Sequence, residues 1–331
     1  METNLRVVLL TAIAPIAWGS GYYVAETYLP PDRPLFGATV RALPFGLLIL
    51  ALRPTLPRGH WWWRAAVLGT INFAAFFGLL FVVSFRLPGG LAATLTATSP
   101  LVIMALAWLV LGERPRLASL AAAGVGVTGV GLLVLRSPGG ADPLGVAAAL
   151  AAVLVSSCGF VLVKRWQPPV DLLTFTGWQM VAGGLVLLPV ALLVEGAPPA
   201  LGARELLGFA WIGLVGTVAA YVVWFRGLRR LPAGAVGLVG LLNPVAGTLT
   251  GVTLAGERLG GWQAAGLALV LAGVVLGQTR RAPDRSAPPT VSAATAVVIG
   301  TASTSPMPLA SERTTSPASS SVLTSASNER S

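Results

Sequence analysis

Cysteine, histidine and charge are all scarce in this chain. Of its 331 residues one is a cysteine and one a histidine, and only 10% carry a charge. A single cysteine, Cys158, excludes an intrachain disulfide, and a single histidine, His60, excludes a histidine cluster for a metal site. The sequence therefore predicts neither a metal site nor a cofactor, and zinc and haem proteins are excluded.

Apolar residues take up most of the remaining composition. They make up 55% of the sequence, and the charged fraction is far below the roughly 25% of an average soluble domain. A membrane-spanning helix needs about 20 apolar residues. We predict an all-α polytopic membrane protein with ten transmembrane helices, at 5–26, 34–52, 63–85, 90–111, 117–135, 143–163, 172–194, 206–226, 234–255 and 260–278.

One sequence pattern occurs twice. The stretch from Ser99-Pro100 to Gly112-Glu113-Arg114 returns as Asn243-Pro244 to Gly256-Glu257-Arg258, at a constant offset of 144 residues. Further upstream, Pro30-Pro31 matches Pro168-Pro169 at an offset of 138. A repeat of this length indicates two halves of one fold. Because each half contributes five spans, an odd number, the second half crosses the bilayer in the opposite direction, which predicts two inverted five-helix repeats.

The positions of the basic residues predict the orientation. With the N-terminus inside, the segments on the cytoplasmic side hold fourteen lysines and arginines and the outer loops hold five. Basic loops are retained in the cytoplasm, so both termini are expected there, in a multi-pass protein of the cell (inner or plasma) membrane. The net charge of +10 does not indicate a nucleic-acid partner, because the basic residues lie in short runs between apolar segments.

Composition also predicts the domain limits. We expect the first repeat at 1–137 and the second at 138–281. The remaining residues, 282–331, are rich in serine, threonine and proline and have too little apolar surface to fold alone. We therefore expect them to form a disordered cytoplasmic tail.

Two prolines lie about ten residues inside spans four and nine, which is near the bilayer midplane at about 1.5 Å per residue. Pro100 and Pro244 each deprive the carbonyl four residues earlier, that of Thr96 or Gly240, of its usual partner. Freed carbonyls survive in a membrane only where protein or a water-filled cavity satisfies them. We predict structural helix breaks beside a midplane cavity; simple kinks in packed helices are the alternative.

The Gly-Glu-Arg sequences close spans four and nine at the membrane interface. The glycines suit helix C-terminal turns, which need left-handed backbone. We predict a structural role in these helix-end turns for Glu113, Arg114, Glu257 and Arg258. Direct contact with a solute is the alternative.

These features together resemble the EamA-like family of the drug/metabolite transporter (DMT) superfamily. The resemblance covers about residues 5–278 and includes Ala17-Trp18-Gly19-Ser20 and two Gly/Ala-rich last helices. It implies an inner-membrane carrier of amino acids, other metabolites or drugs, commonly an exporter. It also implies a central cavity lined by spans one to four and six to nine, with spans five and ten as peripheral scaffold.

Polar and aromatic groups inside spans are the candidates for solute binding, because an unsatisfied polar group there is costly. Arg41 lies about seven residues into span two, and Gln179 takes the same place in the second repeat at the 138-residue offset. Arg41 either binds an anionic group or snorkels or pairs with Glu26. Asn72 and Asn243 either line the cavity or bridge helices. The predicted substrate-binding residues are Trp18, Tyr22, Arg41, Asn72, Thr96, Trp178, Gln179, Tyr221 and Asn243.

The sequence thus predicts a secondary transporter that exports a small metabolite, amino acid or drug-like solute by alternating access. Glu26, at the outer end of span one, is the nearest candidate for proton coupling. The alternatives are a non-transporting structural or interaction protein and, less favoured, a membrane-embedded enzyme, for which no nucleophile or acid–base set is evident. Small-residue spacings in spans five and ten, Ala122 to Gly126 and Gly273 to Gly277, allow either packing within the chain or a homodimer seam.

Overall fold

The computed structural model of the protein describes residues 2–30, 33–87, 89–134, 142–256 and 260–278. In this described part all regular structure is helical. Nine helical stretches are long and apolar enough to cross a bilayer, and Leu117–Leu132 is a shorter apolar helix. The predicted all-α, ten-helix fold class is therefore confirmed. The predicted tail and the boundary between the repeats lie outside the described residues.

We number the spans in chain order, and each observed span overlaps the run predicted for it. Their bounds are Glu2–Tyr28, Pro34–Leu52, Trp61–Arg86, Gly89–Leu111, Leu117–Val134, Pro143–Arg165, Leu172–Glu195, Ala203–Arg230, Ala233–Leu254 and Gly261–Gln278.

Spans four and nine are interrupted next to their prolines. In span four the helix ends at Thr96 and resumes at Ser99, and in span nine it ends at Gly240 and resumes at Leu242. Both interruptions occur where proline removes an amide donor from the helix ladder. Each repeat therefore contains one span made of two half-helices.

Spans three and eight each contain a π-helical segment, which the sequence did not predict. The segments are Thr70–Ala75 and Trp211–Ala219, and an offset of 144 residues places the first inside the second. A π turn widens the helix and leaves backbone carbonyls without their usual partners. Each repeat therefore presents free backbone acceptors at an equivalent position.

Spans six and seven begin at aspartates that cap them. Asp142 accepts the amide of Leu144, and Asp171 accepts the amides of Leu173 and Thr174. The hydrogen bond from Arg86 is the largest of the effects that hold the pKa of Asp142 below its usual range. Partial burial raises the pKa of Asp171, but hydrogen bonds from Thr174 outweigh this and lower it.

Two antiparallel helix pairs join the repeats. Spans two and seven pack along their length, and spans five and ten do the same. In the second pair, a Cβ on Gly273 would lie 2.8 Å from the Ala122 carbonyl, and a Cβ on Gly129 would lie 2.7 Å from the Gly266 carbonyl. Small residues of spans five and ten are therefore used for packing within one chain.

The pair of spans two and seven is held at both ends. At one end Glu195 accepts the amides of Leu35 and Phe36, and at the other Arg53 pairs with Asp171 at 3.5 Å. We call the end of the bundle near Glu195 the Glu195 end. The opposite end, where Glu113 closes span four, is the Glu113 end.

The two ends are packed differently. Near the Glu113 end, Ser99–Leu111 of span four packs against Ala233–Gly240 of span nine. As far as the described residues show, the symmetry-related pair near the Glu195 end, Gly89–Thr96 and Leu242–Leu254, does not pack to a comparable extent. The largest core cluster, which includes Leu68, Phe225 and Leu228, also lies in the half near the Glu113 end. The bundle is thus closed at the Glu113 end and separated at the Glu195 end.

Candidate functional site

Arg41 is inside span two and bonds to the π segment of span eight. Its Nε donates to Thr217 Oγ1 at 2.9 Å and its Nη2 to the Gly216 carbonyl at 3.1 Å. The guanidinium also lies over the Phe77 ring, 4.4 Å from its centroid. No carboxylate of the described residues lies within ion-pair distance of Arg41. The pairing with Glu26 considered from the sequence is therefore not formed.

The π segment explains why Arg41 finds acceptors here. Thr217 donates its own hydroxyl to the carbonyl of Ile212, five residues earlier, so its oxygen is fixed toward span two. The Gly216 carbonyl accepts from Arg41 and also from Trp18 Nε1, at 3.0 Å. We call Arg41, Thr217, Gly216 and Trp18 the Arg41 cluster.

The same arrangement occurs around Gln179 in the other repeat. Asn72, in the π segment of span three, donates from Nδ2 to Gln179 Oε1 at 2.8 Å. The Asn72 carbonyl accepts from the Tyr221 hydroxyl at 3.3 Å. Asn72 and Gly216, whose carbonyls receive these bonds, are 144 residues apart. We call Asn72, Gln179 and Tyr221 the Gln179 cluster.

Burial separates the two clusters. The Gln179 side chain is fully buried, Asn72 is 1% exposed and Tyr221 is 3% exposed. In the Arg41 cluster Gly216 and Thr217 are buried as well, but Arg41 and Trp18 are only partly buried. Asn72 therefore bridges helices in this conformation, which is one of the two roles expected from the sequence, whereas the Arg41 cluster borders accessible space.

Tyr22 and Asn243 lie on the accessible side. The Tyr22 hydroxyl lies beside the Asn243 amide, and its ring faces Gly247. Even so, 64% of Tyr22 is exposed. The Asn243 Oδ1 atom is buried, and no donor among the described residues is positioned to form a hydrogen bond to it. Span nine thus presents an acceptor next to the open side of the bundle.

An aromatic wall separates this open side from the Glu113 end. Tyr221 stacks on Phe73 with centroids 4.7 Å apart, and Trp18 contacts Tyr221 at 5.6 Å and Trp224 at 5.2 Å. Trp224 in turn contacts Phe160 of span six. These rings close the path toward the Glu113 end.

Three predicted residues have other surroundings. Trp178 donates to the Thr55 carbonyl at 2.7 Å and packs on Trp61 at the Glu113 end, away from the Arg41 cluster. Thr96 bonds to Ala92 and Ala93 of its own half-helix. Glu26 is exposed at the Glu195 end.

The helix-end turn of span four connects the repeats. Gly112 has a left-handed backbone with φ of 71°. Glu113 accepts the Ala233 amide at 2.8 Å and pairs with Lys164, whereas Arg114 is exposed. Glu257 and Arg258 lie outside the described residues. Among the described residues, no group of three or more histidine, cysteine or acidic side chains could hold a metal ion.

Sequence reasoning missed the π segments and their acceptors. The offset between Arg41 and Gln179 indicated that both positions matter, but it did not identify Thr217 or the carbonyls of Gly216 and Asn72. No residue type marks a π turn in the sequence. The signal available was the polar Thr217 within an apolar span.

Comparisons with known proteins agree with this architecture. The EamA-like transporter family matches residues 5–135 and 143–277. Protein PecM of Dickeya dadantii is 36% identical over 80% of this chain and 90% of its own length. A probable amino-acid metabolite efflux pump of Salmonella typhimurium is 28% identical over 81% of this chain and 93% of its own. The uncharacterized inner membrane transporter YedA of Escherichia coli is 29% identical over 79% of this chain and 87% of its own length.

A solved crystal structure has the same fold. The region of similarity covers 82% of this chain and 96% of the solved chain, with a TM-score of 0.72 and 19% sequence identity. That identity supports the fold alone. The family match extends over nearly all of the described spans, and a relative at 36% identity covers most of the chain. The chain is a membrane transporter rather than an enzyme, and it belongs to the EamA-like transporter family.

Proposed function

We propose that this protein exports small solutes that carry an anionic group, and that it works by alternating access between two inverted repeats at 1–137 and 138–281. The observation that supports this function best is Arg41. It is a cation inside a span on the open side of the bundle, and within the described part of the chain it bonds only to neutral groups.

Electrostatics make Arg41 a site for an anion. A charge inside a membrane span is costly and is usually paired or functional. Here a hydroxyl, a carbonyl and an aromatic ring solvate the guanidinium, and none of them neutralises it. A carboxylate or phosphate would supply the missing charge through short, charge-assisted hydrogen bonds.

The neighbours of Arg41 fit the remainder of such a solute. Trp18 and Tyr22 offer aromatic surfaces, and Asn243 offers a buried acceptor for an N–H or O–H group. Amino-acid metabolites, which the Salmonella relative is named for, combine these features. Asn72, Gln179 and Tyr221 would contact solute only after the Gln179 cluster opens.

The orientation that we propose places the Glu113 end and both termini in the cytoplasm. Most of the lysines and arginines are assigned to loops on that side, which fits retention of basic loops there. The described conformation would then be open to the outside. A homodimer seam through the small residues of spans five and ten is disfavoured, because Gly126, Gly129 and Gly273 are used within one chain.

Counterflow in proteoliposomes tests this function. Purified protein is reconstituted into proteoliposomes, which are loaded with an unlabelled solute, and uptake of the same solute in labelled form is measured. The solutes tested are amino acids, carboxylated metabolites, nucleosides, sugars and small cations. We expect saturable uptake of the carboxylated class. Arg41→Gln should weaken that uptake by about 10- to 150-fold, equivalent to about 1.5–3 kcal/mol for a hydrogen bond to a charged group.

Arg204→Gln is the matched control, because Arg204 is an exposed arginine at the Glu195 end. It should leave uptake unchanged. A substrate profile that Arg41→Gln does not alter would remove Arg41 from the binding site. Absence of saturable uptake for every class, by folded protein, would contradict the proposed solute.

A further inference from the structure

The two ends of the transport path contain different chemistry. At the Glu113 end, Lys164 pairs with Glu113 and donates to the Leu231 carbonyl, while Glu113 accepts the Ala233 amide. We call these four residues the Glu113 latch. It joins span four of the first repeat to span six and to the turn between spans eight and nine, so it holds the Glu113 end closed.

The repeat offsets identify the equivalent residues at the Glu195 end. An offset of 144 relates Leu231 to Leu87, and an offset of 138 relates Lys164 to Glu26. Leu87 and Leu231 both end a span with extended backbone, at φ of −123° and −117° and ψ of 142° and 158°. The Leu87 carbonyl therefore has the same backbone geometry as the Leu231 carbonyl. At the position equivalent to Lys164, however, the chain has Glu26.

This exchange reverses the hydrogen-bonding requirement. An ammonium group donates to a carbonyl, whereas an ionised carboxylate only accepts. A carboxylic acid that has taken up a proton can donate its O–H. We propose that the Glu195 end closes when Glu26 is protonated and its O–H donates to the Leu87 carbonyl, and opens when Glu26 is ionised.

Glu26 lies in open surroundings at the Glu195 end. It is exposed and forms no ion pair among the described residues. On its own helix it is accompanied by Tyr22, Tyr23 and Tyr28. The first helical segment of span eight, packed against span one, contributes Arg204, which lies over the Tyr28 ring, and Glu205, which caps its own helix. Leu242–Leu254 of span nine contributes no ionisable side chain, and Glu257 and Arg258, which follow it in sequence, are outside the described residues.

The direction of the pH effect follows from proton binding. The closed end holds one proton more than the open end, so acid favours closure and alkali favours opening. One linked proton changes the ratio of closed to open protein by up to about tenfold for each pH unit. No comparable effect is expected at the Glu113 end, because there the Leu231 carbonyl receives its hydrogen bond from an amine, which has N–H donors without taking up a proton.

Distances between spin labels test the inference. In a Cys158→Ser background, labels on Phe85→Cys at the end of span three and Leu254→Cys at the end of span nine report across the separated Glu195 end. The pair is measured between about pH 3 and pH 8, which extends to both sides of the ordinary glutamate pKa of about 4.3. We expect a longer distance at high pH and a shorter one at low pH.

Three substitutions make the test specific to Glu26. Glu26→Gln and Glu26→Lys can donate to the carbonyl at any pH, so both should give the shorter distance throughout. Glu26→Leu cannot donate and should give the longer distance throughout. A distance in the unsubstituted protein that does not change with pH, or a pH response that persists in Glu26→Leu, would overturn the inference. It rests on the proposed alternating access, but the labels are read without solute, so its failure and a failure of counterflow are distinguishable.

Discussion

The Arg41 and Gln179 clusters are equivalent positions in the two repeats, yet they differ in charge and in burial. Each joins a side chain of span two or seven to a π segment of span eight or three. The Gln179 cluster is neutral and buried, whereas the Arg41 cluster is cationic and borders the open side. Inverted repeats thus share a backbone plan, and side-chain differences make one position neutral and buried and the other cationic and partly exposed.

The largest effect on stability is expected from placing a positive charge in the buried Gln179 cluster. Gln179→Arg would put a cation at a fully buried position whose side chain bonds to Asn72. A buried charge at a helix centre costs about 2.5–3.5 kcal/mol. We expect a large loss of thermal stability in detergent, measured by size-exclusion chromatography after heating.

Arg41→Gln is the control for that substitution, because it makes both clusters neutral and removes charge instead of adding it. It should remain folded. Equal stability of Gln179→Arg and the unsubstituted protein would show that the Gln179 cluster is not closed.

A smaller effect should come from the space around Asn72. A Cβ on Gly159 would overlap Asn72 Oδ1, whereas its repeat counterpart Gly21 has open space around it. Gly159→Ala should cost about 1–3 kcal/mol because it overpacks the buried cluster. Gly21→Ala should stay within about 0.5 kcal/mol of the parent. Unfolding followed by tryptophan fluorescence measures both, and similar losses for the two would contradict the difference in packing.

The offsets in the sequence predicted part of this comparison. They paired Arg41 with Gln179 and located the breaks near Pro100 and Pro244, because proline and repeated polar residues mark the sequence directly. The π segments arise from the packing of spans three and eight, so no periodic pattern in the sequence predicted them. Which end is open depends on how the half-helices of spans four and nine pack, and hydropathy does not determine that packing. Trp178 likewise bonds to the loop at Thr55, and the position of that loop cannot be predicted from hydropathy.

The smallest effect concerns how the helices that carry the two clusters begin. Asp171 caps span seven with its own carboxylate, but Arg33 takes the equivalent position before span two, and Glu195 supplies that cap from span seven. Asp171→Ala should cost about 1 kcal/mol at neutral pH. Arg33→Ala should cost less, because its side chain caps no amide.

The pH dependence of that loss has a definite sign. Hydrogen bonds from Thr174 lower the pKa of Asp171 in the folded protein, so its contribution is present above the usual aspartate pKa and is lost as the pH falls through the lowered value. The stability difference between Asp171→Ala and the parent should therefore shrink in acid. Thermal unfolding at a series of pH values measures it, and a difference that grows in acid would contradict the assignment.

Thiol labelling at the two equivalent positions tests the central claim most directly. In a Cys158→Ser background, Arg41→Cys and Gln179→Cys are each exposed to a membrane-impermeant thiol reagent in detergent-free membranes, with the Glu195 side accessible. We expect the cysteine at position 41 to be modified and the cysteine at position 179 to be protected. Equal modification at both positions, or protection of position 41, would contradict a bundle that is open at the Arg41 cluster and closed at the Gln179 cluster.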